Sequence, residues 1–168
     1  VVRLLDPDEI AEIFDVRIAL ESYAIWTAAS KITDEQLDQL EALIAQHEAL
    51  IAAGDLQSSM DAGAAIHLFL LEAAGNQTLL RVIADLSNPM RIARHVYMRH
   101  VGANDVVPYR QILDALRAHD EELAASLMSA HIKHARDQVV AALRAMGREA
   151  FLPRPHRRGK PGLPLVDI

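Results

Sequence analysis

Residues 58–76, SSMDAGAAIHLFLLEAAGN, set one imidazole, His67, among small and aliphatic residues, with Gly63 one helical turn before it. Side chains four apart project from one helix face, the spacing at which a carboxylate and an imidazole can share a metal ion. Here the earlier position carries no carboxylate, and glycine inside a helix costs on the order of 1 kcal/mol against alanine. Gly63 is therefore a close-packing position or a place left open, and His67 is a satisfied core histidine or a pocket-lining one. Arg17 raises a second question, because it interrupts the apolar stripe Ile10, Ile13, Phe14, Leu20 and Ala24. A guanidinium turned toward a core needs an anion or a ligand to offset its desolvation. Arg17 is thus a clamp for a carboxylate or the partner of Glu21 in an i,i+4 ion pair. His131 and His134 stand one turn apart, so that one can face the interior and the other solvent. Arg91, Arg94 and Arg99, with His95 and His100, form a basic run after Pro89, and such runs are commonly solvated faces.

The elements that must position these residues are helices. Asp6-Pro7-Asp8-Glu9 supplies a cap, a proline at the first helical position and acids in the first turn, which predicts a helix to about Ser30. Thr33-Asp34-Glu35-Gln36 is a capping box, followed at helical spacing by Leu37, Leu40, Leu43, Ile44 and Ile51 until Gly54. A third helix runs from about Leu56 to Ala74. Asn76, read as an N-cap, opens a fourth with Leu79, Leu80, Ile83 and Leu86, which Asn88-Pro89 bends or interrupts before about His100. A short helix from about Val107 and a long one from about His119 to Gly147 follow. The last carries Leu123, Leu127, Ala130, Val139 and Leu143. Gly54, Gly75, Gly102 and Gly147 fall where helices should stop; Gly63 does not.

Composition agrees. With 51% hydrophobic residues but only 4% aromatics, 168 residues suit one domain of helices packed on helices. No cysteine is present, so disulfides and thiolate metal sites are excluded. No apolar run approaches the roughly 18 residues of a membrane span and no signal pattern opens the chain, which predicts a cytoplasmic protein without membrane contact. Of the formal charge of −6, the Pro-rich tail from Phe151 offsets a body at −9, since it holds four basic residues and one acid. A body that acidic repels phosphate backbones and binds nucleic acid poorly by itself. The tail, residues 151–168, reads as a disordered extension. Enzyme chemistry finds no support: there is no His-Glu-x-x-His, no Glu-x-x-His pair, no glycine-rich phosphate loop and no nucleophile set beside a base.

One ordered set of residues resembles a known family. Glu12-Ile13-Phe14-Asp15-Val16-Arg17 with Leu20-Glu21, then His67 with Glu72-Ala73-Ala74-Gly75-Asn76, then Tyr109-Arg110-Gln111-Ile112-Leu113-Asp114-Ala115-Leu116 with Asp120, then Met128 and His131, resemble the C-terminal effector-binding (FCD) domain of FadR-type GntR transcription regulators. The likeness covers about Pro7 to Val140. It implies an all-α antiparallel bundle of about six to seven helices over residues 7–150 that binds a small carboxylate effector and forms a homodimer. It also implies operator DNA as a partner only through an N-terminal winged helix absent from this chain, with residues 1–6 as the linker from it. Carried over residue by residue, the implied effector-binding residues are Arg17, His67, Tyr109 and His131, with Arg94 and Arg91 as further arginines. In many members an Asp and a His four apart and two later His hold a divalent metal. Here those positions are Gly63, His67, Tyr109 and His131, so only His67 and His131 keep a ligand type. His134 joins them only if it faces the same cavity. The resemblance thus implies no resident cofactor, with weak Zn²⁺, Ni²⁺ or Mn²⁺ binding left open. The rival readings are a structural dimerisation domain whose pocket has decayed and a metal-dependent helical-bundle enzyme.

Overall fold

The computed structural model describes residues 6–86 and 108–146, and these contain six helices and no strand. They are α1 (Pro7–Ala29), α2 (Asp34–Ala52), α3 (Leu56–Ala73), α4 (77–86), α5 (Tyr109–Arg117) and α6 (Glu121–Met146). Gly102, Gly147 and residues 151–168 lie outside the described residues.

Each start has a local cause. Asp6 caps α1 by accepting from the Asp8 amide at 3.0 Å, ahead of Pro7. Thr33 and Gln36 close a reciprocal capping box on α2, at 3.2 and 3.0 Å. Asp55, Asn76 and Asp120 accept from the amides of Ser58, Leu79 and Leu123 at the starts of α3, α4 and α6. Such caps satisfy amides that have no partner inside the helix. The cap explains why α6 begins two residues later than its sequence suggests: His119 takes a left-handed φ of 51° and donates from Nδ1 to the Ala29 carbonyl at 2.7 Å. Gly54 and Gly75, at φ 72° and 70°, end α2 and α3 in the same left-handed region.

Side-chain pairs set the directions of the helices. Asp8 meets Arg144, Asp15 meets Arg136 and Ala29 meets His119, so α1 and α6 run antiparallel along their length. Glu41 with Arg117 and Glu48 with Arg110 make α2 and α5 antiparallel. Glu21 with His67 and Lys31 with Ala74 make α1 and α3 parallel. The tight turn at Gly54 folds α2 back on α3. One apolar core results, from Ile10 and Phe14 through Leu40, Ile44, Ile66 and Leu70 to Leu116, Met128 and Leu143. A smaller cluster of Ala24, Ala28, Leu71, Ala74 and Leu79 ties α4 to α1 and α3.

The buried face of α6 differs from the stripe expected of it. Ala124, Met128, His131, Ile132, Val139 and Leu143 point inward, whereas Leu123 and Ala130 are exposed. Packing against α1 selects the Ala124-Met128-His131 row, with Leu127 only partly buried at its edge.

Candidate functional site

The inward row of α1 reads Ile10, Phe14, Arg17, Glu21, Ala24, Ala28, a regular alternation of three and four residues in which the two middle positions are charged. Arg17 is 9% exposed and Glu21 2%. Their charges are matched: Arg17 Nε donates to Glu21 Oε1 at 2.6 Å. The guanidinium carbon also lies 5.4 Å from the centre of the Phe14 ring, a stacking contact that holds the head group flat. With Nε committed to Glu21, the two terminal nitrogens of Arg17 have no acceptor among the described residues.

The second oxygen of Glu21 reaches α3, where it takes the Nδ1 hydrogen of His67 at 2.6 Å. Burial by itself raises the Glu21 carboxyl. The charges of Arg17 and then His67, with the hydrogen bonds from both, outweigh it and bring Glu21 from 4.5 down to about 2. An ionised carboxylate only accepts, so Nδ1 carries the hydrogen of this bond.

His67 is one of four rings that gather here. Tyr109, the first residue of α5 after Pro108, is the hub: its ring lies 4.5 Å from that of His131 on α6, 5.8 Å from that of His67 and 5.3 Å from that of His47 on α2. His67 and His131 are 5.3 Å apart. The two contacts at 82° are edge-on, an arrangement aromatic rings favour. Gly63 faces this group. A β-carbon built on it would stand 3.5 Å from His47 Nε2 and 3.5 Å from the Tyr109 hydroxyl, with nothing nearer. Five helices thus bring Arg17 and Glu21, His47, Gly63 and His67, Tyr109, and His131 to one place.

Of the residues singled out from sequence, Arg17, His67, Tyr109 and His131 are therefore neighbours. His134 is partly buried, and its Nε2 lies 3.1 Å from Gln138 Nε2 one turn along α6. Arg91 and Arg94 lie outside the described residues. Two members were missed. Glu21 follows Arg17 by four positions on the same stripe, and its sequence signal is that of an ion-pair partner alone. His47 continues the buried row Leu37, Leu40, Ile44 by three, which is the signal that could have found it. Burial holds the His47 imidazole below its ordinary value, opposed by Glu48 and helped by His67.

The donor set does not suit a tightly held divalent metal. Gly63 offers no ligand atom, Tyr109 offers a phenol, and His67 has one nitrogen committed to Glu21. Among the described residues no group of three histidine or acidic side chains is arranged to hold a metal ion.

The FCD domain family matches residues 12–134, which takes in every member of this cluster. The chain belongs to the FCD domain family. Among curated proteins it is similar to the Nta operon transcriptional regulator of Aminobacter aminovorans, 24% identical over 153 residues, covering 89% of this chain and 70% of that protein. Among solved structures it shares its fold with a Streptococcus agalactiae GntR at a TM-score of 0.65 and 23% identity, over 80% of this chain and 61% of that one. The FCD chain therefore spans about three fifths of the GntR it resembles. The family and the relatives it matches are those of transcriptional regulators, not enzymes. No helix among the described residues is long and apolar enough to cross a membrane.

Proposed function

We propose that this FCD domain is the ligand-sensing and dimerisation part of a cytoplasmic GntR-type regulator. A small organic acid binds between its helices and alters how two copies present DNA-binding domains joined to them. The observation that carries the reading is the buried Arg17, whose Nε is held by Glu21 while its two terminal nitrogens find no acceptor among the described residues. A guanidinium fixed in this way offers two parallel donors to a carboxylate, the geometry Arg serves better than Lys. His67, presenting Nε2, and the rings of Tyr109 and His131 supply the wall and the polar contacts beside it. For the acid to act as a signal it must bind one arrangement of the dimer more tightly than the other.

The site is formed without a metal ion in this reading, because Glu21 performs the orienting of His67 that a coordinated ion would otherwise provide. The test is calorimetric titration with a panel of mono- and dicarboxylates. At least one acid binds the native chain, and Arg17→Lys, which keeps a cation beside Glu21 but loses the forked donor pair, weakens it by about tenfold or more. A panel without a single binder, or equal binding by Arg17→Lys, overturns the clamp.

A further inference from the structure

Helix α1 carries an outward row besides its inward one. Glu12, Val16, Ala19, Tyr23, Trp26 and Ser30 are all exposed and follow one another by alternate steps of four and three residues, the spacing that gathers side chains on a single helix face. Val16, Tyr23 and Trp26 are 46%, 53% and 46% exposed. The other large apolar side chains left in water among the described residues, Leu68, Val82 and Leu123, stand singly on α3, α4 and α6. Single exposed residues of that kind are ordinary, whereas a contiguous row marks a surface made for a partner. Between Glu12 and Ser30 the row bears no charge, and the partly buried Ile13 and Leu20 widen it on one side.

The row fits its own reverse. Turned about a two-fold axis at position 21, Trp26 falls opposite the partner's Val16, Tyr23 opposite the partner's Ala19, and Glu12 opposite the partner's Ser30. Each large ring then meets a smaller side chain, and the two Glu12 carboxylates stand about 27 Å apart at 1.5 Å per residue. In a parallel pair every residue would face its own copy. Bulk would meet bulk at Tyr23 and Trp26, a gap would open at Ala19, and Glu12 would meet a like charge.

We propose that two copies of this chain pair through this row of α1, antiparallel about position 21. This deepens the dimerisation part of the proposed function and rests on it. The occupant is a second copy because size and charge along the row match its own reverse, the self-complementarity that a two-fold interface requires. The area is of the right order. With about half of each aromatic side chain uncovered, Tyr23 and Trp26 of both copies offer roughly 400 Å². Four side chains thus supply about a third of the ~1,200 Å² at which stable interfaces begin, and they are of the types that dominate interface energetics. The axis crosses α1 at the turn whose inward side is Glu21, with Arg17 one turn before it. Pairing face and carboxylate site are therefore the two sides of one stretch of helix, and an acid that moves Arg17 and Glu21 acts on the centre of the seam.

The chain has no cysteine, so thiols introduced at the two ends of the row report on the register without disturbing its apolar part. Glu12→Cys, Ser30→Cys and the two combined are treated with a short bismaleimide, which bridges about the 8–10 Å between packed helix axes. The combined variant becomes a covalent two-chain species. Each single variant does not, because its two thiols stand about 27 Å apart. Sedimentation of the native chain is measured beside them. A two-chain mass with linking by the single variants, or with none by the combined one, overturns the antiparallel seam while the dimerisation reading stands. A native chain that sediments with the mass of one copy at every concentration removes that reading as well.

Discussion

Replacing Glu21 by glutamine tests the centre of the structure. The carboxyl sits at about 2 in the folded chain against an ordinary 4.5, and at about 1.4 kcal/mol per pH unit this difference corresponds to ~3 kcal/mol of stability. The folded value is the lower one, so the contribution is complete above pH 4.5 and is lost as the pH falls toward 2. Because Glu21 is almost wholly buried, solvent screening takes little from that figure. The same size follows independently from leaving a buried Arg17 without its counter-charge, ~3 kcal/mol or more. Urea unfolding of the native chain and Glu21→Gln at pH 7 should therefore differ by about 3 kcal/mol, and by only about 1.4 kcal/mol at pH 3, where much of the native carboxylate's advantage has gone. Other carboxylates with lowered values, among them Glu41, Glu48 and Asp55, are common to both proteins and cancel in the difference. The double variant Arg17→Met, Glu21→Leu removes both charges and should recover most of the loss, since a buried pair is often replaceable by apolar side chains. A gap under 1 kcal/mol at pH 7 that stays constant to pH 3 would refute the buried ion pair as the organiser of this site.

Two further outcomes follow from other parts of the molecule. Lys31 donates from Nζ to the Ala74 carbonyl at 2.5 Å, at the C-terminal end of α3; Lys31→Met should lower stability by about 1 kcal/mol in urea, and an unchanged midpoint would show the contact to be idle. Val16, Tyr23 and Trp26 are exposed at 46%, 53% and 46% along one line of α1, a stripe that suits pairing with a second copy. If the proposed dimer forms through this stripe, Trp26→Glu shifts the sedimenting species toward the mass of a single chain, and an unchanged dimer mass would place the pairing surface elsewhere.

How far the site could be read from sequence depended on how local its cause was. Caps and stops are local: Thr33 with Gln36, Asn76 and Gly75 are written within a few residues of where they act. Arg17 stood out because a charge breaks an apolar row, and the regular spacing shows why Glu21 belongs to the same row. His47 could be placed on the inner face of α2 but not in the site, for the opposite reason. It follows Ile44 at helical spacing, but its importance lies in facing Gly63 across the hairpin of α2 and α3, a pairing that the chain's periodicity does not encode. Leu123 misled because leucine spacing on α6 admits two faces one position apart, and only packing against α1 selects Ala124 and Met128. The resemblance pointed to His67, Tyr109 and His131, but not to the Glu21 carboxylate that holds His67 from another helix.

Helix α1 is unbroken from Pro7 to Ala29, and this has a mechanical side. Glu21 grips His67 some fifteen residues from the cap at Asp6, a lever arm of about 22 Å at 1.5 Å per residue. A tilt of about 5° set at that grip moves the far end by about 2 Å. Asp8 and Asp15 tie that arm to Arg144 and Arg136, so any tilt of α1 would be passed on to α6 as well.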